Sequence, residues 1–120
     1  MSDKMLKFVE IGQQNPPKRD VDTRKSDFNE IYGDFINQKA QDQSSRCSQC
    51  GVPFCQVHCP LSNNIPDWLK LTAEGRLKEA YELSQSTNNM PEVCGRICPQ
   101  DRLCEGNCVI EQSGLSLIHI

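Results

Sequence analysis

The chain has 120 residues, a formal charge of −3, 37% hydrophobic and 6% aromatic residues, and eight cysteines. That length fits one small domain whose apolar core is too thin to stand without a covalent or metal staple. The acidic balance argues against a nucleic-acid partner, and no apolar run reaches membrane-spanning length, so the expected partner is protein.

Residues 1–20 read as an extended N-terminal arm. Residues 1–8 contain no apolar signal core and no small-residue cleavage site, which points to a cytoplasmic, reducing setting. Phe8, Val9 and Ile11 form a short apolar stretch, and Asn15-Pro16-Pro17-Lys18-Arg19 disfavours helix. The arm is either a free tail or a segment that docks on a partner through Phe8 and Ile11.

From 22 to about 36, Phe28, Ile31, Tyr32 and Phe35 recur at helical spacing and predict one amphipathic helix, weakened or ended by Gly33. The polar stretch 37–45 predicts a second helix that delivers Arg46 and Cys47 into the first cysteine motif. A helical hairpin follows. Asn64 is a candidate cap, Pro66 suits a first turn, Asp67 favours the positive end of the dipole, and Gly75 is a stop. Ile65, Trp68, Leu69 and Thr72 share one face. The return helix, about 77–85, turns Leu77, Ala80, Tyr81 and Ser84 inward. Asn88-Asn89 breaks it, and Pro91-Glu92 starts a short helix carrying Cys94 and Cys98. No alternating strand pattern occurs, so the fold is expected to be all-α, with loops wrapped around metal.

The cysteines form two sets of four: Cys47, Cys50, Cys55 and Cys59, then Cys94, Cys98, Cys104 and Cys108. The first reads C-x2-C-x4-C-x3-C-P and the second C-x3-C-P-x4-C-x3-C. Thiolates in fours with a Cys-Pro step suit [4Fe–4S] clusters, and in bacterial two-cluster ferredoxins the cysteine before proline ligates the other cluster. By that logic Cys47, Cys50, Cys55 and Cys108 hold cluster 1, while Cys59, Cys98 and Cys104 join on cluster 2. The fourth ligand of cluster 2 stays open. In the first set Gly51 is expected to relieve the turn and Pro53 to stiffen it. The spacing of Cys94 to Cys98, and of Cys104 to Cys108, places each pair one helical turn apart. Eight thiolates on two 2+ cores bring the net charge to about −7.

Two zinc sites are the main rival, since four thiolates also satisfy tetrahedral zinc. Disulfides fit a reducing compartment poorly. His58 reads as an exposed spacer, and Asp101 and Glu105 as solvated charges or groups hydrogen-bonding near the metal. No Ser-His-Asp set, acid/base carboxylate motif, G-x-G-x-x-G or P-loop is present, so no catalytic residue is assigned.

Several stretches resemble the N-terminal iron–sulfur domain of glutamate synthase small (β) subunits. These are Arg46-Cys47-Ser48-Gln49-Cys50-Gly51-Val52-Pro53-Phe54-Cys55, Cys59-Pro60, Asn64-Ile65-Pro66-Asp67-Trp68, Glu74-Gly75-Arg76, and the run from Pro91-Glu92-Val93-Cys94 to Glu105-Gly106-Asn107-Cys108. The likeness reaches back to Pro16-Pro17-Lys18-Arg19 and Glu30-Ile31-Tyr32, covering about 6–114. The N-terminal domain of dihydropyrimidine dehydrogenase is similar.

The resemblance implies an α-helical ferredoxin domain, residues 21–114, with two [4Fe–4S] clusters that relay electrons. In such small subunits the following domains bind FAD and NADPH, and electrons cross to a large subunit that makes glutamate from glutamine and 2-oxoglutarate. The fragment alone, lacking those domains, is expected to be inactive as an oxidoreductase. In the dihydropyrimidine dehydrogenase relatives the position matching Cys94 is not a ligand, and a polar side chain further on completes cluster 2. Cys94 is therefore the weakest ligand candidate. The tail Leu115-Ser116-Leu117-Ile118-His119-Ile120 matches nothing in the family's continuation and is read as a truncation or scar. Another NADPH-dependent flavoprotein reductase is an alternative from the same family. A zinc-stapled interaction module is one from a different class.

Overall fold

The computed structural model describes residues 5–34 and 37–112. Among them are seven α-helices: α1 (Val21–Ser26), α2 (Asn37–Ser44), α3 (Phe54–His58), α4 (Ile65–Ala73), α5 (Leu77–Ser84), α6 (Pro91–Ile97) and α7 (Val109–Gln112). A 3-10 turn, Lys7–Val9, precedes them. The described residues contain no strand, only one isolated antiparallel bridge between Lys18 and Tyr32. This part of the chain is therefore helical, as its periodicity predicts.

Helix α4 is the hub, packing against α5, α2 and α3. Pro66 sits in its first turn, where the missing N–H costs nothing, and Gly75 follows its end at φ 82, a left-handed conformation that glycine tolerates. Ile65, Leu69 and Ala73 form its buried stripe, with Trp68 packed alongside. Leu69, 1% exposed, alone contributes about 2 kcal/mol through burial. Asn64 occupies the N-cap position without capping; its side-chain oxygen instead accepts from Gln56 Nε2 at 3.0 Å, tying α3 to α4. Asn63 joins α4 to α5. It accepts from Trp68 Nε1 at 2.8 Å and donates to the Ser84 carbonyl at 2.7 Å and to Thr87 Oγ1 at 3.0 Å.

The core combines Met5, Ile65, Leu69, Ala73 and Ile110 with the thiols Cys47, Cys104 and Cys108. Cysteine does replace apolar core in this small domain. On α5, Ala80 is buried but Leu77 and Tyr81 are exposed, so only part of its expected inward face packs. A helix of eight residues lying on one neighbour buries a narrow stripe.

The long helix expected over 22–36 does not form. Helix α1 ends at Ser26, Asp27 is extended, and Phe28, Ile31 and Tyr32 are exposed; Phe35 and Ile36 lie outside the described residues. The cause is Arg19, whose guanidinium gathers the segment around itself. It donates to Asp27 Oδ2 at 3.1 Å and Oδ1 at 2.8 Å, to the Glu30 carbonyl at 2.6 Å and to the Asn29 carbonyl at 3.3 Å. Asp27 also accepts from the Asn29 N–H. Local polar bonds of this kind compete with the helical ladder and here prevail. Gly33 serves a different purpose from a helix stop. Its N–H donates to the Pro17 carbonyl at 2.6 Å, and a Cβ there would press on Pro17 at 3.3 Å.

The N-terminal stretch packs on the chain's own core. Met5 is buried, Phe8 lies against the core cluster, and the Leu6 and Lys7 N–H groups donate to the Cys47 and Ser45 carbonyls, both at 3.0 Å. Gln43, 2% exposed on the otherwise polar α2, accepts from the Gln14 N–H and donates to the Gly12 carbonyl.

Candidate metal centre

Helix α2 ends in a turn that drives Arg46 and Cys47 inward, with the Arg46 and Cys47 N–H groups bonded to the Gln43 and Ser44 carbonyls. The C-x-x-C step that follows turns on Gln49, which holds φ 53 without being glycine. That conformation directs its backbone N–H to Cys47 Sγ at 3.4 Å, and its side-chain Nε2 reaches the same sulfur at 3.4 Å. The Nε2 also donates to the Pro66 carbonyl at 2.7 Å, anchoring the turn on α4. Ser48 Oγ and Cys50 Sγ lie 3.1 Å apart. Gly51 neither adopts a positive φ nor meets a crowded contact, so Gln49, not Gly51, makes the turn.

Cys55 lies in the first turn of α3, and Cys59 caps its end with an N–H bonded to the Cys55 carbonyl at 3.1 Å. From the far end of the sequence, Cys108 arrives on the turns of 101–107, its N–H bonded to the Glu105 carbonyl at 3.0 Å. Cys47, Cys50, Cys55 and Cys108 together line one cavity, floored by Leu69 and Pro66 of α4 and edged by Phe54 and Val109.

The remaining four thiols gather differently. Cys94 rides on α6 and Cys98 caps that helix, its N–H bonded to the Cys94 carbonyl at 2.9 Å. Cys104 is not on a helix with Cys108, as its spacing suggested. Both belong to a tight loop in which the Gln100 carbonyl accepts from Leu103, Glu105 and Gly106. Gly106 lies so close over Asp101 that a Cβ would overlap its carbonyl. Cys98 sits within electrostatic reach of Cys59 and of Cys94, and Cys104 within reach of Cys98, Cys59, Cys108 and Cys55, so Cys104 borders both groups. All eight cysteines are free thiols.

A profile of the family described as dihydropyrimidine dehydrogenase domain II, 4Fe-4S cluster, matches residues 24–120. The chain belongs to this family. The chain is 71% identical over 110 residues to the glutamate synthase (NADPH) small chain of Azospirillum brasilense, covering 92% of this chain and 23% of that one. It is 51% identical over 110 residues to the protein of the same name from Escherichia coli K12, with the same coverage. A putative oxidoreductase of that organism, AegA, is 49% identical over 96 residues, which is 79% of this chain and 15% of that one. The chain thus spans about a quarter of the length of the glutamate synthase small chains it matches.

The donor set fits the cluster chemistry of domain II proteins. Burial pushes the Cys47 thiol up, although hydrogen bonds from Gln49 oppose the rise. It pushes Cys55 up to about 12 and Cys104 up to about 11, with neighbouring thiols adding to both, and it raises Cys98 as well. Such thiols stay protonated at neutral pH unless a cation replaces the proton. The sulfurs of Cys47 and Cys50 already have N–H or O–H neighbours, the kind of contact that stabilises a ligating thiolate. No group of three or more His, Cys, Asp or Glu side chains among the described residues converges closely enough to hold a single metal ion.

Gln49 and Ser48 were not singled out from the sequence, and the only signal available was the need of a C-x-x-C turn for inward amides. His58 and Asp101 are exposed, in keeping with a spacer and a solvated charge, whereas Glu105 is buried. No described helix is long and apolar enough to cross a membrane.

Proposed function

We propose that this chain is an α-helical ferredoxin-like electron-transfer domain holding two [4Fe–4S] clusters. One would be ligated by Cys47, Cys50, Cys55 and Cys108, the other by Cys59, Cys98 and Cys104 with a further ligand. Cys94, beside Cys98, is the least favoured thiol on family grounds. The observation that carries the reading is that Cys108, from the second set, lines one cavity with Cys47, Cys50 and Cys55 of the first. Thiols spread around a cavity suit a cluster better than the single point at which a tetrahedral zinc ion needs its four ligands.

When bound, each cluster takes up and passes on one electron. The chain's own part is to hold the thiols in place, to donate Gln49 N–H groups to the Cys47 sulfur, and to keep water from the inner face with Leu69 and Pro66. NADPH oxidation in this reading is the work of FAD- and NADPH-binding domains, with the cluster domain passing on the electrons. High identity to glutamate synthase small chains favours a cytoplasmic role in glutamate synthesis, passing electrons toward a large subunit. The 49% identity to a putative oxidoreductase favours, as a second reading, the same module in another flavoprotein reductase.

The test is anaerobic purification followed by measurement of iron, acid-labile sulfide and zinc, with EPR of the dithionite-reduced protein. Iron and sulfide sufficient for two clusters support the proposal. Stoichiometric zinc without sulfide would overturn it in favour of a zinc-stapled module.

A further inference from the structure

Arg46 is 1% exposed and one of the most deeply buried side chains in the domain. Its Nε and Nη1 are buried without a hydrogen-bond partner, and among the described residues it forms no ion pair with a carboxylate. A guanidinium cannot shed its charge at any accessible pH, and a lone cation in the interior is strongly disfavoured. A side chain needed only for packing would be served better by methionine or leucine. Arg46 directly precedes Cys47, which lines the cavity with Cys50, Cys55 and Cys108.

We propose that Arg46 is the fixed counter-charge of the Cys47, Cys50, Cys55 and Cys108 site, a positioning residue that favours the reduced form of the group bound there. The inference rests on the cluster reading above. Four thiolates on a 2+ core leave two net negative charges, and one electron from the reductant makes three. A buried cation is worth more to the more negative state, so it shifts the one-electron equilibrium toward reduction. The unpartnered Nε and Nη1 are donors that no other group among the described residues has taken, and a charge-assisted bond to a thiolate would satisfy them.

The test is a redox titration of the full chain with dithionite as reductant, followed by EPR, comparing the unsubstituted protein with Arg46→Gln and Arg46→Lys. In Arg46→Gln, iron and sulfide stay at two clusters. One reduction equilibrium falls at least tenfold, which is about 59 mV for one electron, while the other moves less than threefold. Arg46→Lys, which keeps the charge, stays within threefold of the unsubstituted protein at both. Full cluster content in Arg46→Gln with both midpoints unmoved overturns the proposal. If Arg46→Gln fails to assemble the site, Arg46→Lys decides. A loaded lysine variant at the original midpoint supports the counter-charge, and a lysine variant that also fails, or loads at a midpoint lowered tenfold, overturns it. Absence of iron and sulfide from the unsubstituted protein instead overturns the cluster reading itself.

Discussion

Cys59, from the first cysteine set, lies within electrostatic reach of Cys98, which caps the helix that carries Cys94. After burial, a thiolate at Cys59 is the largest influence raising the Cys98 thiol. The expected consequence concerns which site fails when Cys59 is lost. Cys59→Ser should impair the site of Cys98 and Cys104 and leave that of Cys47, Cys50, Cys55 and Cys108 loaded, so that iron and sulfide fall by roughly half. EPR of the reduced variant checks this. A signal lost in Cys59→Ser that matches the one lost in Cys47→Ser would contradict the crossover.

Cys94 and Cys98 offer a second comparison. Cys98 lies within electrostatic reach of Cys59, Cys94 and Cys104, whereas Cys94 is among the influences on Cys98 but not among those on Cys104. Cys94→Ala should therefore retain more iron and sulfide than Cys98→Ala. Equal losses, measured on anaerobically purified protein, would make the two thiols equivalent.

Gly106 tests the loop that delivers Cys104 and Cys108. Any side chain there collides with the Asp101 backbone, and backbone cannot step aside as a flexible side chain can. Gly106→Ala should destabilise the domain by about 1–3 kcal/mol and lower the iron content of both sites, because the loop serves each. Gly95→Ala, on α6 with open space around it, is the control and should behave like the parent. Thermal unfolding and iron content of the two variants distinguish the outcomes.

Asp27 and Arg19 bear on how the N-terminal segment is held. Hydrogen bonds from Arg19 and from the Asn29 backbone lower the Asp27 carboxyl to about 2. In the unfolded chain it titrates near its usual value of about 3.9. A depressed carboxylate stabilises fully above the unfolded pKa and loses that effect as pH falls through the folded one. The segment should thus be unaffected by acid down to about pH 4 and loosen toward pH 2. Asp27→Asn should loosen it at neutral pH. Amide exchange at Arg19 and Gly33, bonded to the Ile31 and Pro17 carbonyls, reports the change and should quicken several-fold in the variant.

Much of the helical framework was legible in the residues. Pro66, Gly75 and Pro91 mark boundaries because their constraints act on the backbone within a turn, and the structure starts or ends helices beside each. The stripe of Ile65, Leu69 and their neighbours packs for the same reason, since helical spacing alone places them on one face. The expected helix over 22–36 failed because the pattern of Phe28, Ile31 and Tyr32 says nothing about Arg19. That side chain competes for the same backbone from outside the window.

The candidate site divides along the same line. The sequence by itself determined the number and spacing of the thiols, the family they belong to and, through the Cys-Pro steps, the expectation that Cys59 and Cys108 exchange between sets. Tertiary structure decided that Cys108 lines one cavity with Cys47, Cys50 and Cys55, because that approach depends on segments packed over Leu69 and Pro66 of α4. It also decided that Arg46 is buried without a carboxylate and that Gln49, not Gly51, turns toward sulfur. Local steric rules reach only about one helical turn along the chain. Burial and long-range charge contacts exist only once distant segments have packed.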